Sequence, residues 1–386
     1  MKRFFLPLAV AGLLAGAQFA VAQAVAQAQP GSKAQPASKK SAPSTARKTA
    51  ARKTVLRKSP PVDPTEGDNV DGEDLVVRRA AVAALGTTRG SVVVADPNTG
   101  RILTMVNQKL GLQAGFTPCS TIKLVTSLAA LNEHVVERDT VIHLSRYTSL
   151  DLTTAIAHSN NPYFATLGNR LGFERVIHYA QLLGLGEKAG LDIPGEQPGS
   201  VPAEPPKGGG VGMMTSFGEG FLVTPLELAG LLTSIANGGT LYYLQYPRSP
   251  EEVDHFTPKV KRPLDLAPEG LADIKVGMRG AVDFGTARRA GYDASEPILG
   301  KTGTCTDFSS SSHMGWFGSF NDVGNHQLVV VVMLAAVNKS VNGGVAAGVA
   351  GAIYKNLSDQ RYFAMDVSDK PALPQMLVST PACCAR

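Results

Sequence analysis

Short apolar runs and turn residues alternate along the chain from about Leu75 onward, and they predict strands at both ends of one folded segment. Residues 91–95 and 102–106 are apolar and flank 96–100, a Pro-, Asn- and Gly-containing stretch typical of a tight turn, so they predict a hairpin. Apolar runs late in the chain predict three further strands, at 298–304, 316–320 and 327–337.

Between these strands the apolar positions recur at the spacing of one helix face, beginning with the segment from Ser120 to Glu133. The other helices predicted in this way span about 161–171, 173–184, 224–237, 268–282 and 344–357. We therefore expect an α+β fold. The first hairpin and the late strands would form one antiparallel sheet flanked by helices, with an all-helical lobe inserted between them.

The first residues have the pattern of an export signal. Lys2 and Arg3 precede an apolar run that extends to about Ala17, and small-x-small cleavage sites follow it. We predict a signal peptide at 1–24 and an exported protein, periplasmic or in the cell envelope. The alternative is an uncleaved membrane anchor, although the run is shorter than the ~20 residues that a membrane span needs.

The net charge of +5 is unevenly distributed. Residues 1–58 hold 11 Lys and Arg and no acidic residue, which leaves 26 basic against 32 acidic residues, a balance of −6. This balance argues against a nucleic-acid partner. Residues 25–74 have little to bury and predict a disordered tether, basic and then acidic, that either contacts anionic wall polymer or membrane lipid or is a plain spacer. We predict the folded domain at 75–365 and a flexible tail at 366–386.

The first candidate for chemistry is Ser120 with Lys123. Residues three apart share a helix face, so the lysine amine can reach the serine hydroxyl, which needs a nearby base to become a nucleophile. Pro118 places Ser120 at the start of the helix, where free N–H groups favour developing negative charge. On its own, this spacing is also compatible with an ordinary amphipathic helix.

Two further segments carry polar residues typical of an acyl-transfer site. Ser159 and Asn161 lie just before Pro162, which fits the first turn of a helix, so helix capping is the alternative interpretation. Later, Lys301-Thr302-Gly303-Thr304 follows an apolar run. On an edge strand, Lys301 and Gly303 would face one side, where the glycine allows a substrate backbone to lie close.

In this order, the three segments resemble the signature of penicillin-binding proteins and serine β-lactamases. The resemblance covers about residues 85–360 and is strongest to class B transpeptidases. It extends to the segments at 118–123, 157–161, 184–196, 218–220, 224–229 and 237–239.

The resemblance implies a role for each matched residue. Ser120 would be acylated by the penultimate D-alanine of a peptidoglycan stem peptide, with Lys123 as base and Ser159 as proton relay to the leaving amine. Asn161 would hold substrate and Lys123. The remaining implied roles are a positive charge from Lys301, substrate carboxylate binding by Thr302 and Thr304, and an oxyanion hole of the Ser120 and Thr304 N–H groups.

The family implies a D,D-transpeptidase or D,D-carboxypeptidase that binds β-lactam antibiotics and needs no cofactor. The few residues between the tether and the first strand leave no space for a glycosyltransferase domain or a class B pedestal domain. Two alternatives stay open. A β-lactamase would need a group that activates water, for which Glu174, Glu187, Glu196 or a carbamylated Lys123 are the candidates. A sensor would be acylated by a β-lactam without turnover.

Two cysteines flank the predicted oxyanion donors. If the N–H groups of Ser120 and Thr304 point at one oxyanion, as the resemblance implies, then Cys119 and Cys305 lie close together. We predict a disulfide between them, similar to one in carbapenem-hydrolysing class A β-lactamases; the alternative is a pair of buried thiols.

Overall fold

A computed structural model describes residues 63–291, 297–307, 312–321, 326–337 and 339–364. The predicted signal peptide at 1–24, most of the predicted tether and the predicted tail at 366–386 lie outside the described residues. None of the described helices is both long and apolar enough to cross a membrane.

A five-stranded antiparallel sheet joins the two ends of the described segment, as predicted. Its strand order is β2-β1-β9-β8-β7, so β7 lies at an edge. Two short antiparallel strand pairs, β3–β4 and β5–β6, stand apart from it and were missed, since three or four residues give too little alternation to detect. The strands are β1 (Gly90–Ala95), β2 (Ile102–Val106), β3 (Ile142–Ser145), β4 (Thr148–Leu150), β5 (Thr240–Tyr242), β6 (Val260–Pro263), β7 (Ile298–Asp307), β8 (Ser312–Asn321) and β9 (Val329–Ala336).

Both faces of this sheet are buried, which explains why β1, β2 and β9 are almost entirely apolar. In β9, Val331 packs into a core on the side of the helical lobe, whereas Val330 packs into a second core on the opposite face. The same alternation in β7 assigns Leu299 to the lobe side and Ile298 to the other. Because side chains alternate along a strand, Lys301 and Gly303 share the lobe side with Leu299.

Helices cover both faces of the sheet. The first and last helices, α1 and α11, line the second core, and the helices between them form the lobe, whose central helix α3 is buried on all sides. The helices are α1 (Leu75–Leu85), α2 (Gln108–Gly111), α3 (Lys123–Asn132), α4 (Leu152–His158), α5 (Asn161–Leu171), α6 (Phe173–Leu182), α7 (Gly210–Phe217), α8 (Pro225–Ala236), α9 (Pro250–Asp254), α10 (Pro268–Asp283) and α11 (Gly343–Asp359).

Residues just before 75, which the sequence assigns to the tether, pack against the folded domain. Glu73 is buried and accepts hydrogen bonds from the Arg78 guanidinium and the Met105 N–H. Asp68 also pairs with Arg78, and Asp74 caps α1 by accepting from the N–H groups at its start. In the sequence, this acidic segment has the composition of a solvated, disordered chain. The groups that donate hydrogen bonds to its carboxylates belong to other segments, so the composition alone does not reveal them.

Candidate active site

Ser120 lies in a 3-10 turn, Cys119–Ile122, that leads directly into α3. Cys119 has a φ of 53°, in the left-handed region that few non-glycine residues adopt. Ser120 is half-exposed, whereas Thr121 and Ile122 are buried. The predicted first helical turn is thus a tighter turn that presents the serine hydroxyl at the N-terminal end of a buried helix.

Lys123, the first residue of α3, faces the serine. Its Nζ lies 3.0 Å from the Ser120 Oγ, 2.8 Å from the Ser159 carbonyl oxygen and 2.5 Å from the Asn161 Oδ1. The side chain is fully buried. Burial lowers the pKa of Lys123 to about 7, because the charged amine loses more hydration than the neutral one. A neutral amine is therefore available near pH 7 to accept a proton.

The Ser159-Asn160-Asn161 segment links two helices and divides two tasks between its residues. Ser159 ends α4 in a left-handed conformation, with φ 55° and ψ 45°. Asn160 caps α5, since its Oδ1 accepts from the Tyr163 N–H at 2.9 Å. The side chains on either side of Asn160 turn instead toward Lys123. Helix capping by a side chain, the alternative interpretation of this motif, therefore applies to Asn160 alone and not to Ser159 or Asn161.

Lys301 reaches the same centre from strand β7. Its Nζ lies 2.8 Å from the Ser159 Oγ, and the Lys123 Nζ lies 3.0 Å from that oxygen on another side. The Lys301 side chain is fully buried. Burial, followed by repulsion from Lys123, lowers the pKa of Lys301 well below its ordinary value. One hydroxyl thus lies between two amines.

The other residues of this strand shape the site. Gly303 is pressed against the turn that carries Ser120: a Cβ added there would lie 2.9 Å from the Pro118 carbonyl oxygen. The protein's own turn, and not only a substrate, therefore requires the glycine. On the opposite side of the strand, the Thr302 Oγ1 lies 2.7 Å from the Thr286 Oγ1, and the Thr304 Oγ1 accepts from the Gly343 N–H at 2.8 Å.

Cys119 and Cys305 form a disulfide in the structure, with Cα atoms 5.5 Å apart. The two residues are 186 positions apart in sequence. The bond links the residue before Ser120 to the residue after Thr304, and so joins the 3-10 turn to the edge strand covalently.

Residues 90–355 match the family model of the penicillin-binding protein transpeptidase domain. The chain belongs to this family. Its position in the family agrees with the geometry above, in which three distant segments converge on one serine hydroxyl.

Several named relatives of this transpeptidase domain are larger proteins. Stage V sporulation protein D of Bacillus subtilis is 28% identical over 281 residues, 65% of this chain and 43% of that protein. Peptidoglycan D,D-transpeptidase FtsI of Escherichia coli is 26% identical over 318 residues, 71% of this chain and 52% of that protein. The chain therefore spans about half the length of the curated relatives it matches.

Solved structures establish the fold of the transpeptidase domain. The transpeptidase domain of Burkholderia pseudomallei penicillin-binding protein 3 aligns with a TM-score of 0.63 and 20% identity, covering 75% of this chain and 96% of that one. Pseudomonas aeruginosa PBP2, in complex with WCK 5153, aligns with a TM-score of 0.62 and 24% identity, covering 75% and 77%. The predicted fold class is confirmed.

None of the three glutamates considered for a β-lactamase, all of which the structure describes, hydrogen-bonds to the site residues of this transpeptidase domain. Glu187 pairs with Lys261 and Arg262, and Glu196 is buried, accepting from the Ala189 and Gly190 N–H groups. Glu174 is exposed at the start of α6. In the described part of the chain, no carboxylate hydrogen-bonds to Ser120, Lys123, Ser159 or Lys301.

Two residues of the site were missed by the sequence. The Ser216 carbonyl oxygen lies 3.5 Å from the Ser120 Oγ, and the Ser216 Oγ donates to the Asn161 carbonyl oxygen at 2.9 Å. Thr286 contacts Thr302, as described above. The segment at 218–220 resembles the family, and its proximity is the only feature of the sequence that points to Ser216 as a site residue. No feature of the sequence points to Thr286. Within the described ranges, no group of His, Cys, Asp and Glu could hold a metal.

Proposed function

We propose that this chain is a peptidoglycan D,D-transpeptidase or D,D-carboxypeptidase that acts on D-Ala-D-Ala stem peptides through an acyl-Ser120 intermediate. The observation that carries the proposal is the arrangement of the Ser159 hydroxyl between the amines of Lys123 and Lys301, with the Ser120 hydroxyl 3.0 Å from the first of these amines. The named D,D-transpeptidases among its relatives support the same reaction.

In the acylation step, the Ser120 Oγ bonds to the carbonyl carbon of the penultimate D-alanine, and its proton passes to the neutral Lys123. The N–H groups of Ser120 and Thr304 stabilise the resulting oxyanion; such a donor is worth ~3–4 kcal/mol in a comparable hydrolase site. The C–N bond then breaks, and the proton reaches the leaving D-alanine amine through the Ser159 hydroxyl. An acceptor amine, or water, releases the acyl group by the reverse sequence.

Substrate binding is assigned to the edge strand and to the lobe. Thr302 and Thr304 would hold the terminal carboxylate of the stem peptide, and Asn161 would hold the substrate amide as well as Lys123. Burial and the nearby Lys123 amine both disfavour the charged form of Lys301. An arriving carboxylate would favour its charged form, since an opposite charge raises the pKa of an amine.

We further propose that the protein is exported to the cell envelope. The support is the basic and apolar start of the chain, together with relatives named for peptidoglycan, which is assembled outside the cytoplasm. The same proposal includes a signal peptide that ends at residue 24 and a folded domain that ends at residue 365. Nothing observed favours the alternative of a sensor.

Covalent labelling tests the reaction. The full chain should take a stable label from a fluorescent penicillin, and Ser120→Ala should abolish it, whereas Ser145→Ala, an exposed serine in the lobe, should label normally. The wild-type protein should then release D-alanine from a D-Ala-D-Ala stem peptide. Rapid loss of the label by hydrolysis would indicate a β-lactamase instead, and stable labelling without D-alanine release would indicate a sensor. Undiminished labelling of Ser120→Ala would refute the assigned nucleophile.

A further inference from the structure

An open, positively charged depression of about 550 Å³ lies beside the threonine end of the active site. None of the chemistry described above uses it. The residues that line it come from the segment before β7 and from the start of α11: Gly285, Thr286, Arg288, Arg289 and Gly344.

Two hydrogen bonds connect this depression to the proposed carboxylate site. Thr286, one of the lining residues, contacts the Thr302 hydroxyl at 2.7 Å. Gly344 directly follows Gly343, whose N–H donates to the Thr304 hydroxyl at 2.8 Å. Thr302 therefore contacts a residue that lines the depression, and Thr304 contacts the residue next to one that does.

The two arginines supply its charge. Arg288 and Arg289 are exposed, and no described carboxylate forms an ion pair with either of them. The preceding acidic residue, Asp283, pairs with Arg279. The stem of Arg289 lies along α11, since a Cβ added at Gly344 would be 3.8 Å from the Arg289 Cδ. The N-terminus of this helix adds partial positive charge at the same place.

The remaining groups around the threonines are poor sources of long-range attraction. Thr302 and Thr304 are neutral. Lys301 is fully buried 2.8 Å from a hydroxyl that it shares with a second amine, and both features disfavour its charged form. The two exposed arginines that line the depression can therefore attract an approaching carboxylate.

We propose that Arg288 and Arg289 form a recognition subsite for the terminal carboxylate of the acyl donor, guiding it to Thr302 and Thr304. The inference rests on the proposed function and adds a specificity determinant to it. Donors with a free carboxylate are acylated in preference to the corresponding esters or amides because of these two charges.

The test compares a fluorescent penicillin that has a free carboxylate with its methyl ester. The second-order acylation rate constant is measured for each, and their ratio is the carboxylate preference. In the full chain carrying Arg288→Gln and Arg289→Gln, this preference should fall about five- to ten-fold, the range expected for two partly exposed charge pairs. In the wild-type protein, the preference should decrease between about 20 mM and about 0.5 M NaCl, because salt screens exposed charges.

Two matched variants serve as controls. Arg288→Lys with Arg289→Lys keeps both charges and should retain most of the preference. Arg146→Gln with Arg170→Gln removes two exposed charges from the lobe and should retain all of it. An unchanged preference in the Arg288→Gln, Arg289→Gln protein, an equal loss in the lobe control, or a salt-independent wild-type preference would overturn the inference. A wild-type chain that took no label from either compound would remove the proposed function with it.

Discussion

At the scale of single residues, burial gives two lysines chemistry that they lack in water. The amines of Lys123 and Lys301 both approach the Ser159 Oγ, and neither side chain reaches solvent. Two ammonium groups that close together would repel each other strongly in a site of low polarity. The neutral form of at least one amine is therefore favoured, and Lys123, adjacent to Ser120, is positioned to use it.

The pH dependence of acylation should report Lys123. Below its pKa the amine is protonated and cannot accept the serine proton, so the acylation rate of the full chain should rise with pH through about 7 and level off above it. Labelling with fluorescent penicillin over a pH series measures the profile. Asn161→Asp places a negative charge beside the Lys123 amine and raises the pKa of that amine. The inflection of the pH profile should therefore move to higher pH. A rate that keeps rising toward pH ~10.4, the ordinary lysine pKa, would contradict this account.

The neighbouring asparagines offer a matched pair of variants. Asn160→Ala removes the cap of α5 and should lower the free energy of unfolding by about 1 kcal/mol, with acylation largely kept. Asn161→Ala removes the oxygen 2.5 Å from the Lys123 Nζ and should slow acylation by about 10- to 100-fold with a smaller loss of stability. Urea unfolding and labelling kinetics distinguish the two; the reverse assignment of effects would refute this division of tasks.

At the scale of elements, the site depends on how closely the turn that carries Ser120 contacts the edge strand β7. The turn and the strand meet at Gly303, where a side chain would not fit, and the disulfide joins them one residue beyond Thr304. The two proposed oxyanion donors lie on these two elements. Their spacing therefore depends on contacts between segments that are remote in sequence.

Removal of the disulfide should loosen this junction. In a chain whose tail cysteines are replaced by Cys383→Ser and Cys384→Ser, adding Cys119→Ser and Cys305→Ser should lower stability by about 3–5 kcal/mol, as expected for the closure of a long loop. Acylation should slow by about 10-fold or more if the donors shift by even a fraction of an ångström. The tail variant alone is the control. Equal rates and stabilities in the two proteins, or two titratable thiols at 119 and 305 in the denatured, unreduced protein, would contradict the prediction.

At the scale of the whole molecule, the segment before α1 is part of the folded domain. The Glu73 carboxylate accepts hydrogen bonds from Arg78, Thr104, Met105 and Tyr246, at 2.6–2.9 Å. These partners belong to α1, to β2 and to the loop after β5. One buried carboxylate thus joins three parts of the domain that are up to 173 residues apart in sequence.

Neutralising this carboxylate should destabilise the whole domain. Glu73→Gln leaves the buried Arg78 with one fewer counter-charge and replaces one acceptor oxygen with an amide N–H₂, which cannot accept from the Arg78 or Met105 N–H groups. The free energy of unfolding should therefore fall by about 3–5 kcal/mol. Asp71→Asn, at an exposed carboxylate two residues earlier, is the control and should change little. Urea unfolding measures both. Similar, small effects of the two variants would show that the segment is only loosely attached.

Local patterns predicted the elements that form the site, because a helix face and an apolar strand depend mainly on residues a few positions apart. The strand β7 was predicted too short, since its end from Cys305 to Asp307 is polar and becomes a strand only by pairing with β8. The five strands form one antiparallel sheet, as expected, but their order β2-β1-β9-β8-β7 comes from the structure alone. Thr286 had no such local signal, and Ser216 had only its proximity to the family-like segment at 218–220.

The sequence by itself indicated the family, the five strands of the main sheet and six of the helices. It also indicated the pairing of Ser120 with Lys123, since residues three positions apart lie on one face of a helix. Tertiary structure decided which asparagine caps a helix and which one faces the amine. It also decided that Glu73 belongs to the core and that Arg288 and Arg289 lie beside the threonines. The physical reason is that burial, charge and hydrogen bonding at these positions depend on partners tens to hundreds of residues away, whose approach no local pattern records.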